Sequence, residues 1–174
     1  MRKVKVLWDV DTQNDIILPA SNFAVPGAHK LVDNFGDAIK FFESSGCLIM
    51  GTVDAHTGRE RVLGTRDENL PLHCIKGTSG QQKITSTLGD IAYVSDRKYE
   101  EEALDLVVSD ILNGQRVYFE KQTQSCGTNP NIEYIFKKLS VEEVYFIGVL
   151  TNVCIKFADS FFKEIREQVK TLCE

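Results

Sequence analysis

Short, nearly continuous apolar runs alternate along this chain with segments whose apolar residues recur at helical spacing. That alternation leaves few folds open, because strands apolar on both faces must be covered by helices on both faces. Val4 to Asp9 reads as the first strand, rich in β-branched residues. Residues 27–45 carry Leu31, Val32, Phe35, Ile39 and Phe42 at helical spacing, and Gly46 stops that helix. A second strand follows over Cys47 to Val53, then a long polar stretch over 57–83; loops of that length in compact domains are usually functional. Helices are expected over 100–112, 131–139 and 152–168, and strands over Arg116 to Glu120 and Val144 to Val149. The expectation is an α/β fold: one three-layer Rossmann-like domain over 1–174, with a mainly parallel central sheet flanked by helices.

Composition narrows the functional class. Apolar residues make up 43% of the 174 and charged residues 26%, which suits one soluble domain with a real core. The net charge of −5, with no basic cluster interleaved with aromatics, argues against nucleic acid and anionic lipid as partners. No apolar run approaches the ~18 residues of a membrane span, and the apolar run after the basic start is too short for a signal peptide. A cytoplasmic enzyme or binding protein is expected. The five cysteines, Cys47, Cys74, Cys126, Cys154 and Cys173, form no C-x-x-C pair and no even framework, so free thiols are expected.

In sheets of this kind the site lies beyond the carboxyl ends of the strands. Asp11, Asp54, His56, Lys121 and Cys154 all fall just past predicted strand ends. Cys154 sits where a helix begins, so backbone N–H groups there can hold an oxyanion and the helix dipole is expected to lower the thiol pKa. Asp11 would serve as its base if the two strands are neighbours, with Lys121 arriving from the strand between. Taken singly, Asp11 is a turn residue and Lys121 a solvated strand end; together they converge on one edge. Asp54-x-His56 with His73 offers two imidazoles and a carboxylate, a common ligand set for a borderline divalent metal. His29, inside a predicted helix, reads as an ordinary surface or half-buried residue.

Five segments then resemble the isochorismatase-like cysteine hydrolases, in particular the nicotinamidase branch. Asp11-Thr12-Gln13-Asn14-Asp15 is similar to the family's D-x-Q-x-D opening, and Asp54-Ala55-His56 to its D-x-H metal motif. Pro71-Leu72-His73-Cys74 with Gly77-Thr78-Ser79-Gly80 resembles P-x-H-C…G-T-x-G. Glu120-Lys121-Gln122-Thr123, with Asn129-Pro130-Asn131, resembles the lysine segment, and Gly148 to Cys154 the nucleophile turn. The resemblance implies a triad of Asp11, Lys121 and Cys154, and an oxyanion hole from the N–H groups of Leu150 and Cys154. It also implies a cis Val149–Leu150 peptide and a metal on Asp54, His56 and His73: zinc first, iron or manganese next. In nicotinamidases such a metal holds the pyridine nitrogen.

The departures bear on substrate. Ile16 and Leu70 stand where nicotinamidases usually carry aromatic residues, so substrate-binding walls at these two places are expected to be aliphatic. Asn152 replaces the usual aspartate, and Leu150 a small residue. The chain ends at Glu174, earlier than the resemblance implies. At most a strand over 169–173 could follow the last helix, and an uncovered sheet edge would favour a homo-oligomer. The reading is an amidohydrolase working through a thioester, with nicotinamide the leading substrate. Another small amide or ureido compound, an isochorismatase-type vinyl-ether cleavage, and a catalytically silent metal- or partner-binding relative are the alternatives.

Overall fold

The computed structural model describes residues 3–21, 23–59 and 70–165. Its strands are β1 (Val4–Val10), β2 (Leu48–Asp54), β3 (Ile91–Val94), β4 (Arg116–Lys121) and β5 (Val141–Gly148). They form one sheet in the order β3-β4-β2-β1-β5, and every ladder is parallel. The helices are α1 (Asn14–Ile17), α2 (Val32–Ser44), α3 (Glu101–Leu112), α4 (Ile132–Leu139) and α5 (Lys156–Ile165). The expected α/β architecture is therefore present. None of the described helices is long and apolar enough to cross a membrane.

Alternation along β1 builds the layers. Val6, Trp8 and Val10 face one core, shared with Leu104 and Ile111 of α3, Phe136 of α4 and Phe162 of α5. Leu7 faces the other way, onto Ile39 of α2 and Ile49. Trp8 anchors the larger core: its ring stacks on Phe119 at 5.7 Å and meets the rings of Phe136 and Phe162 edge-on at 5.4 and 4.9 Å. Successive β1 side chains thus hold helices on opposite faces, which fixes where the strand ends point.

Element boundaries differ from expectation in instructive ways. The 27–45 helix divides into a 3-10 turn, Ala28–Leu31, and α2 proper, with His29 exposed. β5 begins at Val141, ahead of the apolar run, because this edge strand carries Glu143 paired with Lys5 of β1 at 3.1 Å. β3 was not expected: four residues with partial exposure give too short a pattern to read. The last helix starts as a π-helical turn, Thr151–Ile155, before α5. Cys173 and the strand expected over 169–173 lie outside the described residues.

Gly51 of β2 pairs with Asp9 of β1, and a Cβ there would stand 2.0 Å from the Asp9 carbonyl oxygen. Backbone cannot yield cheaply in the middle of a sheet. Gly51→Ala is expected to cost about 3 kcal/mol, seen as a Tm lowered by about 6–12 °C in a thermal melt.

Candidate active site

The residue that opens the site is Asp11, the first beyond β1. It is buried and holds a left-handed backbone with φ of 50°, a conformation rare outside glycine, asparagine and aspartate. Its N–H donates to the Thr52 carbonyl of β2 at 3.2 Å. Gln13, fully buried, ties this turn to its neighbours: Nε2 donates to the carbonyls of Asp54 and Gln81 at 2.8 and 2.7 Å, and Oε1 accepts from the Asp54 N–H at 2.8 Å. Asp15 then accepts the Cys74 N–H at 2.8 Å. The opening motif and the histidine–cysteine segment of the long loop are thus one hydrogen-bonded unit. In the sequence Gln13 and Asp15 stand only as motif letters; folding gives them their part in building the site.

Lys121 does not come from a strand between those of Asp11 and Cys154. β1 and β5 are direct neighbours, and β4 lies on the far side of β2. The lysine reaches across the end of β2 instead. Its Nζ donates to Asp54 Oδ1 at 2.5 Å and pairs with Asp11 Oδ2 at 2.9 Å, with side-chain exposure of 1%. Burial by itself would push the Asp11 carboxyl up; the ammonium of Lys121, helped by Lys83, outweighs it and holds Asp11 below its ordinary value. Burial likewise works against the charge on Lys121, but Asp11 and Asp54 raise it well above the ordinary lysine value. Beyond the Lys121 ammonium, neither oxygen of Asp11 meets a donor in hydrogen-bond geometry among the described residues. The carboxylate is ionised, desolvated and able to accept a proton.

Cys154 reaches the same spot from β5. Gly148 has a φ of 146°, and a Cβ there would lie 2.4 Å from the Val10 carbonyl oxygen, so only glycine lets β5 end this close to β1. Leu150 follows in the left-handed region with φ of 60°, and the Val153 N–H donates to its carbonyl at 2.9 Å. No peptide bond among the described residues is cis. The turn expected to need a cis Val149–Leu150 bond is made by these two positive-φ residues instead. The expected lowering of the thiol pKa is not found either. Burial, then the Asp11 carboxylate, push the Cys154 thiol up, and Lys121 offsets this only in part. Cys154 is the fourth residue of its turn and faces carboxylates, so the helix dipole does not dominate. At rest the proton sits on sulfur.

Asp54, His56 and His73 are all buried, with one potential ligand atom from each within 4.8 Å of the others. A borderline cation about 2.1 Å from each ligand needs ligand atoms roughly 3–4 Å apart, so the set fits with little closure. The His73 ring supports this: Nδ1 lies 2.9 Å from the Pro71 carbonyl, which can only accept. The neutral ring must then carry its proton on Nδ1, leaving the Nε2 lone pair for a metal.

A cavity of about 420 Å³ opens above these groups. Cys154 and the three candidate metal ligands are in its wall, whereas Asp11 and Lys121 are buried and do not line it. Leu70 and Leu150 line it, whereas Ile16, the other residue expected in a substrate wall, does not: α1 turns it inward, 3% exposed, into an apolar cluster with Phe35 and Ile84. The walls are not wholly aliphatic. Phe23 and Phe157 line the cavity, and Phe23 stacks on His73 with ring centroids 3.9 Å apart. Neither aromatic belongs to a motif, so only folding brings them in.

The family model for the isochorismatase domain matches residues 6–158. Among solved structures, the chain is similar to N-carbamoylsarcosine amidase from Thermoplasma acidophilum, at 22% identity and TM-score 0.62, covering 97% of this chain and 80% of that one. It is similar to nicotinamidase from Bacillus subtilis at 20% identity and TM-score 0.64, with 96% and 82% covered. Pyrazinamidase of Pyrococcus horikoshii in complex with zinc gives 21% identity and TM-score 0.66, with 97% and 87% covered. No curated protein sequence matches the chain. At these identities the structural likeness speaks for the fold.

Proposed function

The chain belongs to the isochorismatase family, and from that premise we propose that it is a cysteine amidohydrolase cleaving a small carboxamide, with nicotinamide the leading substrate. The observation that carries this reading is the proton arrangement under the cavity. An ionised carboxylate, Asp11, is held by Lys121 beside a thiol, Cys154, that burial and the same carboxylate keep protonated. Such a pair is charged for a proton transfer that occurs only as the sulfur attacks.

In the proposed reaction the Cys154 proton passes to Asp11 while sulfur bonds to the amide carbon. The N–H groups of Leu150 and Cys154 take the negative charge that develops on oxygen. Asp11 returns the proton to nitrogen, the C–N bond breaks, ammonia leaves, and a thioester remains. Water then gives a proton to Asp11 and attacks the thioester; the acid departs and sulfur recovers its proton. Lys121 stays charged throughout and limits repulsion between Asp11 and Asp54.

Asp54, His56 and His73 would hold a divalent metal, zinc first, whose chemistry is to bind a ring-nitrogen lone pair and so fix the substrate's orientation. The Phe23 and Phe157 rings suit a flat aromatic ring, and an aliphatic Leu70 wall leaves room for it. Gln122 adds a polar anchor. The Ala55 carbonyl accepts its Nε2 at 2.5 Å, which orients the amide, and the buried Oε1 has no partner among the described residues. It is suited to accept an N–H of the substrate carboxamide.

The test is ammonia release from nicotinamide by metal-loaded protein, with the nucleophile variant as control. Release above that control supports the reading; none, with release from a ureido compound instead, would move the substrate while keeping the chemistry. His56→Ala is expected to lower bound metal per chain by at least about tenfold, read by elemental analysis after dialysis. Unchanged metal content would remove the triplet from the site.

A further inference from the structure

A second buried ion pair lies directly behind the catalytic turn, and the reaction proposed above does not use it. Lys83 Nζ pairs with Asp9 Oδ1 at 3.1 Å, and both side chains are fully buried. The same ammonium donates to the Asp9 carbonyl at 3.2 Å and to Thr12 Oγ1 at 3.3 Å, and lies over the Tyr118 ring at 4.4 Å. Thr12 donates to the Asp9 carboxylate at 2.7 and 2.9 Å to its two oxygens, and Tyr118 donates to Oδ2 at 3.2 Å. Thr87 joins through its hydroxyl, 2.9 Å from that of Thr12. No member of this cluster lines the cavity.

Two buried charges are costly to place, and a well-packed apolar pair of similar size often serves stability as well or better. The cluster's position in the chain suggests what else it does. Asp9 and Thr12 flank the turn centred on Asp11, whose φ is 50°. The backbone is fastened to the same segment: the Ile84 N–H donates to the Thr12 carbonyl at 2.9 Å, and Gln13 and Lys83 form a β-bridge. Lys83 therefore grips the chain on one side of Asp11 through the Asp9 carbonyl and on the other through the Thr12 hydroxyl. We propose that Asp9 and Lys83 are positioning residues whose buried ion pair, through Thr12, clamps the left-handed turn that aims the Asp11 carboxylate at Cys154. The idea rests on Asp11 acting as the base of the preceding section.

The experiment compares the wild type with Asp9→Asn/Lys83→Met, which removes both charges but keeps an acceptor for Thr12 and Tyr118. Thr12→Val is the second variant; it leaves the ion pair intact and removes only the hydroxyl that joins it to the turn. Each is read for melting temperature, for kcat and KM on the amide substrate, and for the rate at which iodoacetamide labels Cys154, followed by peptide mass. Both folded variants are expected to lose about 10–100-fold in kcat, as a small misplacement of a reacting group does, with KM within about threefold and Cys154 labelling slowed in parallel. Lys83→Arg, which keeps charge and donors, should restore most of the kcat. Folded variants with wild-type kcat and labelling rate would overturn the proposal, as would a KM rise at constant kcat. If the double variant does not fold, Thr12→Val decides alone. If the wild type releases no ammonia from any amide, the amidohydrolase reading fails, while Cys154 labelling still reports on the clamp.

Discussion

Cys154→Ala should abolish amide turnover, by about 10⁵-fold or more, while the protein folds and binds metal as before. The size follows from the proposed mechanism: without sulfur no thioester would form, and what would remain is the small rate acceleration of binding and of the N–H groups proposed to hold the oxyanion. The fold should suffer little, because Cys154 is only partly buried, packs at the margin of the larger core, and lies close to a carboxylate. A melting temperature within about 3 °C of wild type is expected, equivalent to about 1 kcal/mol for a chain of this size. Thermal melting, elemental analysis and ammonia release on one preparation separate these effects. Turnover that survives the substitution would sink the nucleophile assignment outright, whereas lost turnover with lost folding would decide nothing about chemistry. Cys154→Ser is the companion, since it preserves shape and tests whether a thiol is required.

Lys121→Met should be the most destabilising single change at the site. It removes the cation that bridges Asp11 and Asp54, pairs now at 2.9 and 2.5 Å, and leaves two buried carboxylates without it. Breaking a buried pair in this way costs about 3–5 kcal/mol, or about 6–20 °C in Tm. The pH dependence has a definite sign. In the wild type the folded Asp11 carboxyl is held below its ordinary 3.8, so its contribution is complete above that value and fades only as pH falls through the lower folded value. Lys121 is held above its ordinary 10.5, so its contribution is complete below that value and fades as pH rises through the higher one. The wild-type pair is thus expected to contribute evenly between about pH 4 and pH 10. In the variant, burial acts on Asp11 without its main counter-charge and raises the carboxyl, so the folded state takes up a proton that the unfolded state does not. The stability gap between variant and wild type should narrow as pH falls from 7 to 5, measured by chemical denaturation of metal-free protein. A gap independent of pH would mean that the lost packing of the lysine stem, not the orphaned charge, sets the cost.

These two residues also illustrate how differently parts of the site could be read. Cys154 was legible because its surroundings are local: an apolar strand, then a glycine and a capping-type dipeptide within the seven positions that end at Cys154. Lys121 was legible as a strand-end residue but not in its route. Only the strand order shows that a four-carbon side chain spans the end of β2 to reach Asp11.

The sequence by itself determined what periodicity and short motifs encode: the β/α alternation, the parallel sheet it demands, and the strand-end residues Asp11, Asp54, His56, Lys121 and Cys154. Each of these depends on neighbours within a few positions. The tertiary structure decided everything that depends on distant segments meeting. It set Phe23 and Phe157 as cavity walls, turned Ile16 into the core, and made the turn before Cys154 from Gly148 and Leu150 with trans peptides. It raised the Cys154 thiol where its place at a helix start suggested the reverse, because burial and a carboxylate brought in beyond another strand push it up. It also joined Asp9 to Lys83, 74 positions away. No local pattern announces such a pair, since burial, not spacing, makes two charges seek each other.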